Sequence, residues 1–162
     1  MFKEIIMCIN NNEEENLFET GSNLYKNGRY LEAISYLSRA VNLNPESDRN
    51  LYILGCSYCE NGQYIDAIGC LLRAIEFNST MSWIWHWLGR SYFGNRQYDK
   101  AISSFKKAVE LDSDEEHWYW LGVSYYSNGQ SQEAINSLLK AVELNPNYQL
   151  AIEYLNDINN NS

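Results

Sequence analysis

Two cysteines and a histidine are the side chains of this sequence best suited to bind a metal ion. Cys56 and Cys59 are three residues apart, so a helix would place both thiols on one side, and His86 follows further along the chain. Only three ligands are visible, and small cysteines are also common in contacts between helices. We therefore expect no bound metal or cofactor. A small-molecule or metal-handling role that uses these three residues remains an alternative.

Catalytic motifs are not recognisable in the rest of the sequence. It has no Ser, His and Asp arrangement of a known type and no glycine loop that would cradle a phosphate. The acidic turn from Asp112 to Glu116 is explained as a solvated loop that places negative charge at a helix N-terminus. Its spacing does not fit a calcium-binding loop. We predict that the protein is not an enzyme.

Aromatic residues are concentrated in the stretch SWIWHWLGRSYF, which has two faces when it is read as a helix. At about 100° per residue, Trp83 and Trp87 lie on one side together with His86 and Arg90. Trp85 lies on the opposite side. The sequence therefore predicts one face that contributes to the core and one face that remains available for binding. The predicted core set is Trp85, Leu88, Gly89 and Tyr92.

Composition limits the classes of function. The 162 residues are 45% hydrophobic and carry a net charge of −9, which suits one compact domain and argues against binding to nucleic acid or to an anionic membrane surface. Four cysteines are too few for a small disulfide scaffold. The apolar stretch Phe2–Ile9 is too short to span a bilayer or to act as a signal peptide. We therefore expect a cytoplasmic protein.

An internal repeat determines the predicted architecture. Four glycines recur at spacings of 34, 34 and 33 residues, and each is followed at constant distances by an alanine, a large apolar residue and a second alanine. Small residues at facing positions let two helices approach closely, so each repeat predicts a pair of helices. The four sets are Gly21, Ala33, Leu37, Ala40; Gly55, Ala67, Leu71, Ala74; Gly89, Ala101, Phe105, Ala108; and Gly122, Ala134, Leu138, Ala141.

The turn inside each repeat has its own signature. Three turns contain Asn-Gly, which suits a left-handed helix C-cap. The third repeat has GNRQY instead, so Arg96 must either adopt a left-handed backbone or shift the turn.

The repeated pattern resembles the tetratricopeptide repeat, whose signature W-x2-L-G-x2-Y is closely matched by WHWLGRSY and WYWLGVSY. The resemblance implies an all-α, right-handed α-solenoid of four helix pairs, with the first helix of each pair lining a concave groove. The predicted repeats are 14–47, 48–81, 82–114 and 115–148. A capping helix and an Asn-rich end follow at 149–162, and 1–13 form an N-terminal tail or short cap.

The two ends of the repeat array carry separate expectations. Ile152 and Leu155 are expected to cover the last repeat, while Asn156 and Asn159 face water. At the other end, Phe2–Ile9 is expected to be a loosely attached turn, with a cap or a segment that binds the repeats as the alternative.

The groove implied by the resemblance is aromatic from end to end. Because large exposed apolar patches mark binding sites, we predict that it docks a partner peptide or helix with apolar or aromatic side chains. Trp83, Trp87, Tyr119 and Trp120 would be anchors, and Arg49 and Arg90 polar selectors. The alternative is that these aromatics stack on one another and only tighten the superhelix. The predicted groove residues are Phe18, Tyr25, Arg49, Tyr52, Trp83, His86, Trp87, Arg90, Phe93, Tyr119, Trp120 and Tyr126.

The best-known groove of the resembling family is a carboxylate clamp for acidic chaperone tails, and its basic residues are missing here. The corresponding positions hold Phe18 and Ser22, then Ile53, then Trp83 and Trp87. The sequence thus predicts a non-catalytic adaptor or scaffold of a different specificity, with self-assembly into a homo-oligomer as a further alternative.

Overall fold

The structure is a computed structural model that describes the backbone of residues 2–160 and the side chains of residues 11–158 and 160. Over this range the chain is a succession of α-helices joined by short turns, so the predicted all-α fold is confirmed. The helices are α1 (Phe2–Lys26), α2 (Tyr30–Leu43), α3 (Asp48–Glu60), α4 (Tyr64–Phe77), α5 (Ser82–Gly94), α6 (Tyr98–Leu111), α7 (Glu115–Ser127), α8 (Ser131–Leu144) and α9 (Gln149–Asn160).

The chain forms two compact units, each made of helices that pack against the next helix in sequence. Helices α1 to α4 form the N-terminal unit, residues 1–79, and α5 to α9 form the C-terminal unit, residues 80–162. Both units contain pairs of helices in which a glycine of the first helix meets a large residue of the second. A Cβ atom on Gly55 would lie 2.6 Å from the Cγ atom of Leu71, and one on Gly89 would lie 2.8 Å from the ring of Phe105. The predicted close approach of paired helices is confirmed.

Helix α9 closes the C-terminal unit by packing on α8. Ala151 and Ile158 are its most deeply buried residues, and Leu155 packs beside them against the core formed with Leu138. These positions fall four and three residues apart, which is the spacing of one helical stripe. The covering role predicted for Leu155 is confirmed. Ile152 is half-buried at the side of that stripe, and the side chain of Asn159 lies outside the described residues.

The turns between paired helices use left-handed backbone where the sequence predicts it. Gly28, Gly62 and Gly129 have φ angles of 73°, 77° and 78°, and Arg96 has a φ of 59° at the equivalent position. Each turn also has the same pair of hydrogen bonds; for example, the Gln97 amide donates to the carbonyl of Tyr92. Arg96 therefore adopts the left-handed conformation rather than shifting the turn.

First and second helices of a pair are buried in different ways. Helix α4 buries only the stripe of Ala67, Leu71 and Ala74, as expected of a helix with one face towards the core. Helix α5 buries residues on several sides, because it packs against both α6 and α7. Its buried residues are Ser82, Ile84, His86, Trp87, Leu88, Gly89 and Ser91.

This burial corrects the division of α5 into one core face and one open face. Trp85, which was predicted to lie in the core, is half-buried, and Ile84 is fully buried. Trp87, which was predicted to be available for binding, is only 8% exposed. The prediction was wrong for Trp87 because it allowed α5 a single packing surface, and it did not single out Ile84.

Helix α1 runs without a break from Phe2, so the backbone of the predicted N-terminal tail is helical. The side chains of residues 1–10 lie outside the described residues, so what the side chains of Phe2–Ile9 contact stays a prediction. The boundaries of the individual repeats stay predictions. Among the described residues, no helix has the length and apolar character needed to cross a membrane.

Candidate functional site

The aromatic surface of the C-terminal unit is carried by α5 and α7, and we call it the α5–α7 face. Its centre is the guanidinium of Arg90, which lies 4.2 Å from the ring centroid of Trp87 and 5.2 Å from that of Trp120. Phe93 meets the edge of Trp120 at 5.6 Å. The residues of this face are Trp83, Trp87, Arg90, Phe93, Glu116, Tyr119 and Trp120.

Arg90 is therefore engaged within its own unit. A cation over two indole rings is stabilised by their quadrupoles. The Arg90 side chain therefore joins α5 to α7, and its guanidinium already contacts rings of its own unit. The polar selector role predicted for Arg90 does not fit this geometry. The sequence pattern could not reveal the stack, because Trp120 is 30 residues away from Arg90 on another helix.

Two histidines lie beneath Trp83. His86 and His117 have no exposed surface, and their Nδ1 atoms are 3.0 Å apart. The ring centroid of Trp83 is 4.8 Å from that of His86 and 4.6 Å from that of His117. The prediction that His86 contacts a partner in the groove is wrong, because Trp83 and the adjoining helices cover it. His117 was not singled out in the sequence, although it is the chain's only other histidine.

Glu116 is the acidic member of the α5–α7 face. Its carboxylate lies 3.6 Å from the Nε2 atom of His86 and its side chain is 40% exposed. Burial raises the pKa of Glu116 above its usual range, and the nearby Arg90 offsets part of that increase. The carboxylate is therefore partly shielded from water, and a positive charge beside it would stabilise its charged form.

Four tyrosines connect α7 to the end of the unit. The rings of Tyr148 and Tyr154 meet Tyr119 edge-on at 5.6 Å and 6.2 Å, and Tyr154 meets Tyr126 at 5.8 Å. Burial and nearby negative charges, among them Glu116, raise the pKa of Tyr148 to about 12. Tyr119 and Tyr126, both predicted to bind a partner, are thus partly occupied by contacts of the kind that the stacking alternative describes. Tyr126 remains 36% exposed.

In the N-terminal unit two predicted groove residues, Phe18 and Arg49, belong to an ion-pair cluster between α1 and α3. Arg49 donates hydrogen bonds to Glu15 at 3.1 Å and 2.7 Å, and its guanidinium lies 4.0 Å from the ring centroid of Phe18. The hydrogen bond from Arg49 lowers the pKa of Glu15. Glu14, buried beside them, accepts a 2.6 Å hydrogen bond from the side-chain amide of Asn50. Arg49 therefore joins α1 to α3 while its side chain stays 45% exposed, and its role as a selector remains a prediction.

The other residues of this unit that were predicted for the groove or for a metal site are half-buried or buried. Tyr25 and Tyr52 are half-buried, and the ring of Tyr25 lies 5.8 Å from that of Tyr30. Cys56 and Cys59 are buried, and no disulfide includes them. Within the part of the chain that the structure describes, no group of three His, Cys, Asp or Glu side chains is arranged to hold a metal ion.

A cleft of about 380 Å³ lies on α6, α7 and α8, and its lining includes none of the predicted groove residues. The sequence analysis did not single out this cleft. Trp118 is half-buried, and its indole N–H donates a 2.9 Å hydrogen bond to the hydroxyl of Ser113. The cleft is lined by Lys106, Val109, Glu110, Trp118, Leu121, Tyr125, Glu133, Asn136 and Ser137.

The chain repeats a pair of helices in which a glycine of the first helix packs against a large residue and an alanine of the second. This arrangement defines an α-helical repeat protein. Family comparison gives the same result. The profile described as tetratricopeptide repeat matches residues 88–149, and the profile of anaphase-promoting complex, cyclosome, subunit 3 matches residues 2–74. The chain belongs to the tetratricopeptide-repeat proteins. No curated protein matches the sequence significantly.

Solved structures share this fold. A crystal structure of MamA protein is 28% identical, with a TM-score of 0.77 over 88% of this chain and 78% of that one. A MamA fragment from Desulfovibrio magneticus is 24% identical, with a TM-score of 0.78 over 83% and 77%. PilF of Pseudomonas aeruginosa is 16% identical, with a TM-score of 0.80 over 92% and 68%. The last two likenesses concern the fold alone. The fold is of a class that suits a protein-interaction scaffold.

Proposed function

We propose that the protein is a non-catalytic scaffold that docks a segment of a partner protein on the α5–α7 face. The observation that carries the proposal is the concentration of half-buried aromatic side chains on this face. Trp83, Phe93 and Trp120 each keep part of their ring accessible while the rest is held by neighbours. Rigid aromatic rings of this kind are the usual anchors of protein interfaces.

The charge around these rings favours a basic partner. Arg90 already lies over two tryptophans, and the other charged groups near the face are acidic. The carboxylate of Glu116 is partly shielded from water. Asp114 and Glu115 add negative potential around Glu116 and Tyr148. We propose a partner segment that combines apolar or aromatic side chains with Lys or Arg. A cation beside Glu116 would stabilise its carboxylate and so compensate for the hydration that burial removes.

The anchor set changes from the one predicted for the groove. Trp83 and Trp120 stay as proposed anchors, while Trp87 lies under Arg90 and supports the face from below. An alanine at Trp87 would therefore disturb folding as well as binding. The carboxylate of Glu116 is a better place to test the proposal.

We expect a random peptide library displayed on phage to be enriched by this protein in sequences with Lys or Arg next to Trp, Phe or Leu. Binding of a synthetic copy of an enriched peptide, measured by fluorescence anisotropy, should weaken about tenfold in Glu116→Gln, which corresponds to about 1.4 kcal/mol. The physical reason is the loss of a half-buried negative charge opposite the peptide cation.

The matched control is Glu133→Gln, which removes the same charge from the exposed surface of α8. It should bind the peptide as the unmodified protein does. Equal weakening of peptide binding in both variants would mean that only the net charge of the protein matters. Enrichment of acidic peptides, or no enrichment of any peptide, would contradict the proposal.

Self-association is a second candidate, favoured by two exposed apolar side chains at equivalent positions of the N-terminal unit. Leu31 on α2 is 68% exposed and Ile65 on α4 is 75% exposed. If they form an interface between copies, sedimentation across a concentration series should show an oligomer that the double change Leu31→Lys and Ile65→Lys dissociates. Leu72→Lys, at a residue 43% exposed on α4, is the control. A monomer at every concentration would exclude this candidate.

We also propose a cytoplasmic location, because Cys56, Cys59 and Cys70 are thiols and not disulfides, as a reducing compartment requires. The metal-handling alternative receives no support from the donor set. His86 faces His117, and the side chains of Cys56 and Cys59 are buried.

A further inference from the structure

The chain has two histidines, and the structure brings both into one buried pair. The rings of His86 on α5 and His117 on α7 are 4.9 Å apart between centroids and are inclined at 40°. Neither has exposed surface. The pair therefore forms a polar contact between two helices in a place where the other neighbours are mostly aromatic.

The distance between the rings sets a condition on their protons. Two nitrogens 3.0 Å apart form a hydrogen bond only if one carries a hydrogen and the other offers a lone pair. The two rings must therefore be different tautomers. If both rings were fully protonated, two N–H groups and two positive charges would face each other at this distance.

The position of Glu116 indicates which ring is the donor. Its Oε1 atom lies 3.6 Å from Nε2 of His86, which is too far for a hydrogen bond, but the negative charge favours a hydrogen on that nitrogen. His86 then accepts at Nδ1, and His117 donates from Nδ1. The hydrogens are assigned from this arrangement of partners.

Few groups around the pair could compensate a charge on it. Helix α6 presents the ring of Phe105, 5.5 Å from His86, and α5 presents Trp83 and the positive charge of Arg90. The acidic groups are Glu116 on α7 and, near His117, Asp112 and Asp114 in the preceding turn. The Nε2 atom of neither ring has a hydrogen-bond partner.

We propose that the His86–His117 pair is an acid-sensitive latch, which holds α5 to α7 while the two rings share one hydrogen and releases them when both rings become charged. Trp83 is the outer cover of the latch, because it contacts both rings and is itself only half-buried. Release of the pair therefore loosens the aromatic cover at the start of α5.

The direction of the pH effect follows from the burial of the rings. Burial, the second histidine and Arg90 lower the pKa of His86 well below its ordinary value of 6.5. Burial also lowers the pKa of His117, with Asp114 and Asp112 opposing the decrease. The unfolded chain thus binds protons more readily than the folded chain below about pH 6.5. The stability that the neutral pair contributes is complete above that pH and is lost as the pH falls towards the lowered values.

Glu116 acts in the opposite sense and must be separated from the pair. Because its pKa is raised, its carboxyl group takes up a proton in the folded protein at a higher pH than in the unfolded chain. Its protonation therefore makes the folded state relatively more stable as the pH falls. Experiments on the latch should be repeated in Glu116→Gln, which removes the opposing contribution of Glu116.

The first test uses the unmodified protein and ¹⁵N NMR of its imidazole rings. At pH 7.5 we expect one ring with hydrogen on Nδ1 and the other with hydrogen on Nε2, and we expect both to stay neutral as the pH falls through 6.5, the ordinary histidine pKa. Two rings of the same tautomer, or two rings that titrate near pH 6.5, would overturn the proposal.

The second test compares urea unfolding at pH 7.5 and pH 5.5. In Glu116→Gln, the unfolding equilibrium constant should rise on acidification by up to about tenfold per pH unit for each histidine. Adding His86→Asn and His117→Asn, which replace Nδ1 by an amide that does not titrate, should abolish the rise. A rise that persists without the histidines contradicts the latch. If the double variant does not fold, the NMR titration alone decides.

Discussion

Replacing Leu138 with alanine should lower the free energy of unfolding of the C-terminal unit by about 2–5 kcal/mol. Leu138 has no exposed surface, and its side chain fills the space against Gly122, where an added Cβ would lie 2.7 Å from the Cγ atom of Leu138. The substitution would leave a cavity in the middle of the α7–α8 contact. Since glycine has no side chain to move into it, the cavity would collapse poorly, and we expect a loss in the upper part of that range.

The adjacent residue provides the control. Leu139 lies on the same helix but is 52% exposed, so Leu139→Ala removes the same atoms from a place where they contact mainly solvent. We expect it to change the free energy of unfolding by less than about 1 kcal/mol. Urea denaturation followed by circular dichroism measures both variants. Equal losses at the two positions would show that the α7–α8 contact is not packed as described.

The second large effect is expected from two glycines of the N-terminal unit that lie inside helices. A Cβ on Gly55 would be 2.6 Å from the Cγ atom of Leu71 and 3.4 Å from the carbonyl oxygen of Ala67, whereas one on Gly69 would meet nothing within 4 Å. Gly55→Ala should therefore destabilise the protein by about 1–3 kcal/mol, because α3 and α4 must move apart. Gly69→Ala should stabilise it by up to about 1 kcal/mol through helix propensity.

The two alanine variants share the same change in backbone freedom, so the difference between their unfolding free energies measures the crowding at the helix contact. Circular dichroism at increasing urea concentration gives both values. If Gly55→Ala also stabilised the protein, the close approach of α3 and α4 would not be needed for folding.

Much of the fold was predictable because its main constraint is local and periodic. A glycine on one helix and a leucine or phenylalanine sixteen residues later meet in every pair, and the alanines on either side of the large residue form the rest of the stripe. Such a contact leaves the same signature each time it recurs. The left-handed turn at Arg96 was predictable for the same reason, because three Asn-Gly turns define the conformation that it must share.

The site was less predictable because the first helices pack on more than one side. A helical wheel separates α5 into two faces, but α5 has neighbours in α6 and α7, so Trp87 and His86 are buried on the face that sequence reasoning left open. The side-chain hydrogen-bond partners of Arg49 and His86 are two glutamates and a histidine that lie 31 to 35 positions away. Those distances depend on how neighbouring pairs stack, and a single sequence does not contain that information.

The distribution of tryptophan has a practical consequence for the study of this protein. All five tryptophans lie on α5 and α7, in the C-terminal unit, and the N-terminal unit contains tyrosine but no tryptophan. Indole emission excited at its red edge will therefore report on the C-terminal unit alone. Circular dichroism of the backbone reports on both units. Comparing its unfolding transition with the fluorescence transition will show whether the N-terminal unit unfolds at the same denaturant concentration. The chain thus carries an intrinsic fluorescent label that can establish whether its two halves are one cooperative folding unit or two.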